Sequence, residues 1–460
     1  MYIESTIAAI STPPGIGGIG VIRISGNKSL QIIDKLFVSP TEKKISEIKS
    51  HSVNYGYIVE CNSRKTIDEV IILIMKKPNS YTKEDVVEIQ CHGGIVSTKL
   101  ILEEVLKSGA ELAEPGEFAK RAFLNGRIDL LQAEAISDII YSKTNYGLRN
   151  AVNQLEGELS KKISSVRNEI ISLVSHLQAI VDFPEEDIEE LSSEKIEFSL
   201  KNIYEKLEYL LDTAESGKIL KDGVKTAIIG KPNVGKSSFL NAMVRENRAI
   251  VTEIPGTTRD VIEEYVNIKG IPLRMMDTAG IRETDDIVEK IGVEKSREIL
   301  NSVDFIIFII DGSIPLSESD YEIINIIKDK KSLVIINKSD LPRKINIVEI
   351  VNIFRDKILE CSLLKNEGLD KVEEFIYHMF YSGLINSKDE TLITNVRQKD
   401  ALFKAAKNLE ESLIAIDSGM PIDMVSIDLT HAIDNLGEMI GLTISEEIVD
   451  RIFHDFCLGK

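Results

Sequence analysis

One short segment constrains this chain more than any other. The apolar run Val224 to Ile229 leads into Gly230-Lys231-Pro232-Asn233-Val234-Gly235-Lys236-Ser237, and Phe239-Leu240-Asn241-Ala242-Met243 follows. The run predicts a strand, the glycine segment a loop, and the last residues the opening of a helix, which together make a P-loop in its required context. Glycines let backbone N–H groups close around phosphate oxygens, Lys236 can neutralise β- and γ-phosphates, and the Ser237 hydroxyl suits Mg²⁺. Such a loop commits its neighbourhood to an α/β unit.

Further motifs follow in an order that fits one nucleotide. Asp277-Thr278-Ala279-Gly280 comes after the predicted strand Leu273 to Met276, which puts a carboxylate at the strand's C-terminal edge, within reach of Mg²⁺ through water. Asn337-Lys338-Ser339-Asp340 follows the apolar strand Leu333 to Ile336. Asp340 can accept from the N1–H and N2 amino group of guanine. Adenine offers no such pair and would leave the carboxylate desolvated, so GTP is expected rather than ATP. Ser362, after a short strand ending near Glu360, is the candidate base-contacting loop, with Leu363 where Ala is usual. Thr258, within Ile254-Pro255-Gly256-Thr257-Thr258-Arg259-Asp260, is the candidate that closes on Mg²⁺ and the γ-phosphate. Ile281 stands where many GTPases carry the Gln that orients water, so another group must do so. Glu289 is one candidate, and an exposed helix-face glutamate is the alternative. The Asn233 amide could hold a monovalent cation against the phosphates, or serve only the turn.

A length of 460 residues exceeds one ordinary core, and 28% charged with 43% hydrophobic residues describes a folded multidomain chain. Strands at Thr6 to Ile10, Gly20 to Ile24, Glu69 to Met75 and Val86 to Gln90, with a helix from Val96 to Lys107, predict an α+β domain over residues 1–119. Apolar residues spaced three and four apart from Leu148 to Ile180 predict one long helix, stopped by Pro184 and an acidic run, and a second covers Ser193 to Ser216. Strands alternate with helices over 218–382, and helical pattern returns over 383–460, broken at Gly419-Met420-Pro421. Helical sequence at 120–217 and again at 383–460 predicts an α/β unit inserted into an all-α domain. The longest apolar run, Phe305 to Ile310, suits a buried parallel strand and is too short to span a bilayer. Cys61, Cys91, Cys361 and Cys457 form no CxxC pair, and the start of the chain lacks a secretory signal, so a cytoplasmic location is expected. A net charge of −19 works against broad attraction to nucleic acid, so an RNA substrate would need a local basic patch or a partner's surface.

Residues Gly230 to Ser238, Gly256 to Asp260, Phe123-Leu-Asn-Gly-Arg-Ile-Asp-Leu-Leu-Gln-Ala-Glu-Ala135 and the terminal Cys457-Leu-Gly-Lys460 together resemble the tRNA modification GTPase family MnmE, also called TrmE, over essentially the whole chain. The resemblance implies an N-terminal folate-binding and dimerisation domain, a helical domain and an inserted P-loop GTPase domain. It implies action with the flavoprotein MnmG, as a heterotetramer, on C5 of the wobble uridine of certain tRNAs, with a reduced folate (5-formyl- or methylene-tetrahydrofolate) as one-carbon donor. It also implies K⁺-dependent hydrolysis through dimerised G domains. By resemblance GTP is contacted by Asn233, Val234, Gly235, Lys236, Ser237 and Ser238, by Thr252, Glu253, Ile254, Pro255, Gly256, Thr257 and Thr258, by Asp277, Thr278, Ala279 and Gly280, and by Asn337, Lys338, Asp340 and Ser362. Ser237 and Thr258 match Mg²⁺ ligands, Asn233, Thr252, Ile254 and Thr257 match the K⁺ positions, and Glu289 matches the residue that organises catalytic water. Arg23, Glu88, Arg127 and Lys460 match folate contacts, and Cys457 invites either a covalent or a positioning role.

Two rival functions share the nucleotide motifs. A ribosome-assembly GTPase should carry a basic RNA-binding module, which the sequence does not offer. A mechanical or scaffolding GTPase would have no folate affinity. Gly15-Ile16-Gly17-Gly18-Ile19-Gly20 has dinucleotide-loop glycines but leads into a strand pattern, and Cys91-His92 has no partner at metal-ligand spacing.

Overall fold

The computed structural model describes residues 5–41, 44–182, 193–246, 264–276, 300, 302–381, 391–454 and 456–460. Within them the chain builds two sheets and a set of long helices.

Strands β1 (Ile7–Ile10), β2 (Ile19–Ser25), β3 (Phe37–Val38), β4 (Ser52–Val59), β5 (Thr66–Met75), β6 (Val86–His92) and β7 (Glu111–Leu112) form one sheet in the order β3-β4-β5-β6-β2-β1-β7. Its pairs are antiparallel except β1 with β7. Alternation along β2 and β6 sends Ile22, Ile24, Val87 and Ile89 into a core under helices α1 (Ser29–Leu36) and α2 (Ile95–Lys107). The opposite face of these central strands carries Arg23 against Glu88 in direct register. Helix α3 (Glu117–Leu124) crosses residue 119 without a linker and buries Phe118 and Arg121.

The helical region differs from expectation at two points. Residues 148–180 are two helices, α5 (Asn145–Leu155) and α6 (Glu158–Asp182). Gly157 between them has φ +82°, a left-handed conformation that interrupts the hydrogen-bond ladder, so the apolar repeat runs through a break that periodicity cannot register. Leu148 and Val152 consequently lie outside the seam and are exposed, whereas Leu159, Ile163, Val166 and Ile170 pack with α7 (Ser193–Asp222) and two later helices. Helix α7 also runs beyond Ser216, to Gly223 at φ +77°. Helix α4 (Leu130–Tyr141) begins with a capping box made by Asp129 and Gln132.

The second sheet holds β8 (Val224–Ile229), β9 (Glu264–Ile268), β10 (Ile271–Met275), β11 (Phe305–Asp311), β12 (Ser332–Asn337) and β13 (Ile358–Glu360), in the order β13-β12-β11-β8-β10-β9. All pairs are parallel except β9 with β10. Phe305, Ile307 and Ile309 enter one core, and Ile306, Phe308 and Ile310 enter another on the opposite face. Burial on both faces explains why β11 is apolar at every position up to its terminal Asp311. Helices α8 (Lys236–Glu246), α9 (Glu318–Ile327), α10 (Ile347–Phe354) and α11 (Leu369–Tyr381) accompany this sheet. The chain then returns to the helical region through α12 (Val396–Asp417) and α13 (Ile422–Ile440), and α14 (Glu446–His454) packs beside α3. The architecture is multidomain, α+β followed by all-α, with an α/β unit inserted into the helices.

Candidate functional site

Strand β8 is central in its sheet, and its C-terminal end opens at the crevice where such sheets bind ligands. The loop after it needs left-handed and extended glycine geometry: Gly230 has φ +149°, Asn233 +60° and Gly235 +107°. A Cβ on Gly230 would lie 2.4 Å from the Ile309 carbonyl oxygen, and one on Gly235 would lie 2.4 Å from Asn337 Nδ2. The loop is thus held close to β11 and to the Asn337 segment, with room only for backbone. Lys236, the first residue of α8, donates its ammonium to the carbonyls of Gly230 at 2.8 Å and Lys231 at 2.7 Å, which carries the charge across the mouth of the loop. Lys231 itself is ion-paired to the buried Asp320 in the first turn of α9.

The base-selecting segments meet this loop through buried polar contacts. Asn337 Nδ2 donates to Val234 O at 2.7 Å, and its Oδ1 accepts from Leu363 N at 3.1 Å, so one side chain ties three loops together. Asp340 Oδ1 accepts from the buried Ser362 hydroxyl at 2.6 Å. That bond, foremost, holds the Asp340 carboxyl below its ordinary pKa, as an ionised acceptor. Lys338, at φ +63°, pairs with Asp311 Oδ2 at 2.6 Å. Burial acts to raise the Asp311 pKa, and the Lys338 ammonium with the Ser313 hydroxyl and amide outweighs it, leaving the carboxyl lowered. Asp311 was not singled out from sequence. Its signal was a carboxylate ending an otherwise apolar strand.

Of the candidate residues around GTP, the described ones, Asn233 to Ser238, Asn337, Lys338, Asp340 and Ser362, converge on this crevice. Thr252, Glu253, Ile254, Pro255, Gly256, Thr257, Thr258, Asp277, Thr278, Ala279, Gly280 and Glu289 lie outside the described residues.

A second cluster forms in the N-terminal unit. Arg23 donates through Nε to Glu88 Oε1 at 2.9 Å, with Nη2 2.8 Å from the same oxygen, and through Nη1 to Gly459 O at 3.4 Å. Its guanidinium lies 5.1 Å from the centre of the Tyr81 ring, and that of Arg127 lies 4.8 Å from the same ring. The C-terminal tetrapeptide is anchored here: Ser11 Oγ donates to Gly459 O at 3.0 Å and Phe118 N to Lys460 O at 3.1 Å. Burial, and then the charge of Arg23, lower the Lys460 pKa. The Tyr81 hydroxyl is buried and has no hydrogen-bond partner among the described residues. Burial raises its pKa against the pull of Arg23 and Arg127. A buried hydroxyl without a partner, on a ring that two guanidinium groups approach and with a carboxylate bonded to one of them, offers polar groups suited to a flat ligand with polar edges and anionic tails. Tyr81 was missed in the sequence because an isolated tyrosine between two strands carries no spacing signal. Cys457 Sγ is hydrogen-bonded to Tyr141 Oη at 2.9 Å, and that bond, ahead of burial, pushes Tyr141 up to about 12.

A parallel strand delivering a glycine loop to a helix N-terminus, with an Asn-Lys-Ser-Asp segment clamped beside it, defines a P-loop guanine-nucleotide-binding protein. Sequence comparison narrows the class. Residues 130–457 match the MnmE helical domain family, and residues 6–127 match the family described as the GTP-binding protein TrmE N-terminus. The chain is 51% identical over 461 residues to the tRNA modification GTPase MnmE of Alkaliphilus oremlandii, with 100% of both chains covered. It is 52% identical over 459 residues to that of Thermoanaerobacter pseudethanolicus and 51% over 461 residues to that of Clostridioides difficile, again with 100% of each chain covered. The chain belongs to the MnmE family of tRNA modification GTPases and is a GTP-hydrolysing enzyme of tRNA modification. No described helix is long and apolar enough to cross a membrane.

Proposed function

We propose that this enzyme, with the flavoprotein MnmG as a heterotetramer, converts C5 of the wobble uridine (position 34) of certain tRNAs to an aminomethyl-type group, carboxymethylaminomethyl among them. A reduced folate, 5-formyl- or methylene-tetrahydrofolate, supplies the one-carbon unit when bound. Arg23, Arg127 and Lys460 would hold its anionic carboxylates and Glu88 its pterin donor edge, with Tyr81 at the centre of the pocket. The observation that supports the folate part of this reading is that Arg23 and Arg127 both lie against the Tyr81 ring, whose buried hydroxyl has no partner among the described residues, while Glu88 and the C-terminal Gly459 carbonyl both bond Arg23.

At the nucleotide site Lys236 would neutralise the terminal phosphates, Asp340 would read guanine, and Ser237 with Thr258 would ligate Mg²⁺. Asn233, Thr252, Ile254 and Thr257 would hold K⁺, which supplies charge otherwise brought by an arginine finger, and Glu289 would orient water. The N-terminal unit would form the homodimer, letting two G domains meet across it in the cytoplasm.

Calorimetry with 5-formyltetrahydrofolate tests the pocket. An Arg23→Ala change is expected to weaken binding by roughly 10- to 100-fold with GTP turnover unchanged, since one charge-assisted contact is lost. Equal folate affinity in the variant would refute the assignment. Turnover measured in matched K⁺ and Na⁺ buffers tests the cation: stimulation by K⁺ is expected in the parent and absent in Asn233→Ala.

A further inference from the structure

We infer that Asp138 is a positioning residue that couples the nucleotide-binding unit to Cys457, an inference that rests on the proposed GTP-gated chemistry at the folate pocket. The α/β unit is rooted in the helical region by two stretches of chain: the last turns of α7, which lead into β8, and residues 391–395, which lead into α12. These roots are packed against each other without slack. A Cβ on Gly217 would lie 2.0 Å from Ile393 O, and Ile393 N donates to Thr213 Oγ1 at 3.2 Å. They are also fixed to α5, where Leu392 N donates to Asn150 Oδ1 at 2.7 Å and Leu392 O accepts from Gln154 Nε2 at 2.7 Å.

Asp138, on the last turn of α4, grips both roots with one carboxylate. Its Oδ1 lies 2.8 Å from Lys221 Nζ on the inbound root, and its Oδ2 accepts from Thr394 Oγ1 at 3.0 Å on the outbound one. Three residues further on, Tyr141 holds Cys457 Sγ. Beyond Tyr141 the chain turns into α5, and the Tyr146 ring lies under the β9–β10 turn, so close that a Cβ on Gly270 would come within 2.4 Å of it. Lys143 Nζ stands 5.1 Å from the centre of the Tyr265 ring on β9. In sequence, β9 and β10 occupy the interval between the candidate switch residues Thr258 and Asp277. The corner between α4 and α5 therefore meets both roots of the nucleotide unit and the hairpin between its switch motifs, while its Tyr141 contacts the tetrapeptide of the folate pocket.

Packed elements of this kind shift between discrete arrangements rather than deforming smoothly. A cavity of about 80 Å³ lined by Asp138, Tyr141, Asn150, Lys221 and Thr394 gives these side chains space for a second arrangement. Movement of the roots would be passed by the Asp138 carboxylate to the end of α4, and so to the Tyr141–Cys457 contact. A clamp that is merely structural would stabilise the corner and leave Cys457 indifferent to nucleotide.

Alkylation of Cys457 by iodoacetamide separates these cases, measured on a Cys61→Ser background because Cys61 is exposed while Cys91 and Cys361 are buried. Between GDP and a non-hydrolysable GTP analogue the Cys457 rate is expected to differ about threefold or more, a typical size for coupling through a packed network. Asp138→Ala should reduce that difference to about 1.5-fold or less while GTP turnover stays within about twofold. The exchanged pair Asp138→Lys with Lys221→Asp should restore nucleotide dependence through the reversed ion pair. Full nucleotide dependence in Asp138→Ala overturns the inference. If that variant does not fold, the double variant Lys221→Met with Thr394→Val removes both arms and leaves Asp138 in place, and full dependence in it overturns the inference equally. A parent chain that hydrolyses GTP but shows a nucleotide-blind Cys457 refutes the coupling alone, whereas a parent without GTP turnover refutes the nucleotide reading beneath it.

Discussion

Asp340 and Ser362 come together at 2.6 Å from loops that follow different strands, and the serine hydroxyl fixes the carboxylate as an acceptor. Asp340→Asn replaces one acceptor oxygen with a donor that opposes the guanine N2 amino group. GTP affinity is expected to fall roughly 100-fold, while xanthosine triphosphate, whose base offers an acceptor there, gains relative to GTP. Competition binding with both nucleotides measures the change, and an unaltered preference for GTP would remove Asp340 from base selection. The placement of Lys236 and Asp340 beside the loop was legible in the sequence because each sits within a few residues of the strand that positions it. Asp311 and Tyr81 were not, since their importance comes from Lys338 and from Arg23 with Arg127, partners remote along the chain.

At the scale of elements, two glycines decide how the helices are cut and joined. Gly157 separates α5 from α6 in a left-handed conformation. Gly157→Ala is expected to cost about 1–2 kcal/mol, the usual penalty for an L side chain there. Gly217 lies against the Ile393 carbonyl, where a methyl group has a backbone atom 2.0 Å away. Gly217→Ala should cost about 2 kcal/mol or more through forced displacement of the outbound root. Urea denaturation followed by far-UV circular dichroism compares the two, and a Gly217→Ala midpoint equal to the parent's would mean the roots can separate freely. The strands β1, β2, β5, β6, β8 and β12 were legible from apolar runs and alternation, as were α2 and the paired helices around Gly419. Two helices read as one because a three-and-four repeat continues in phase across a single left-handed residue.

The whole molecule joins its ends. The C-terminal tetrapeptide lies on the N-terminal unit, where a Cβ on Gly459 would come within 2.5 Å of Ile10 O and where Gly459 O meets both Ser11 and Arg23. Removing residues 457–460 should lower folate affinity by about tenfold or more, because Lys460 and a wall of the pocket go together, and leave GTP affinity within about twofold. Calorimetry with each ligand reads both effects, and loss of GTP binding as well would point to general unfolding instead. By itself the sequence determined the α/β nucleotide unit and its insertion between helical segments, because strand, loop and helix there are contiguous and their spacing is set by backbone geometry. Only the tertiary structure decided that Arg23 and Arg127 both lie against the Tyr81 ring, that Asp138 bonds both roots of the inserted unit, and that Tyr141 reaches Cys457. Those contacts join side chains hundreds of residues or several elements apart, and folding, not local periodicity, makes them neighbours.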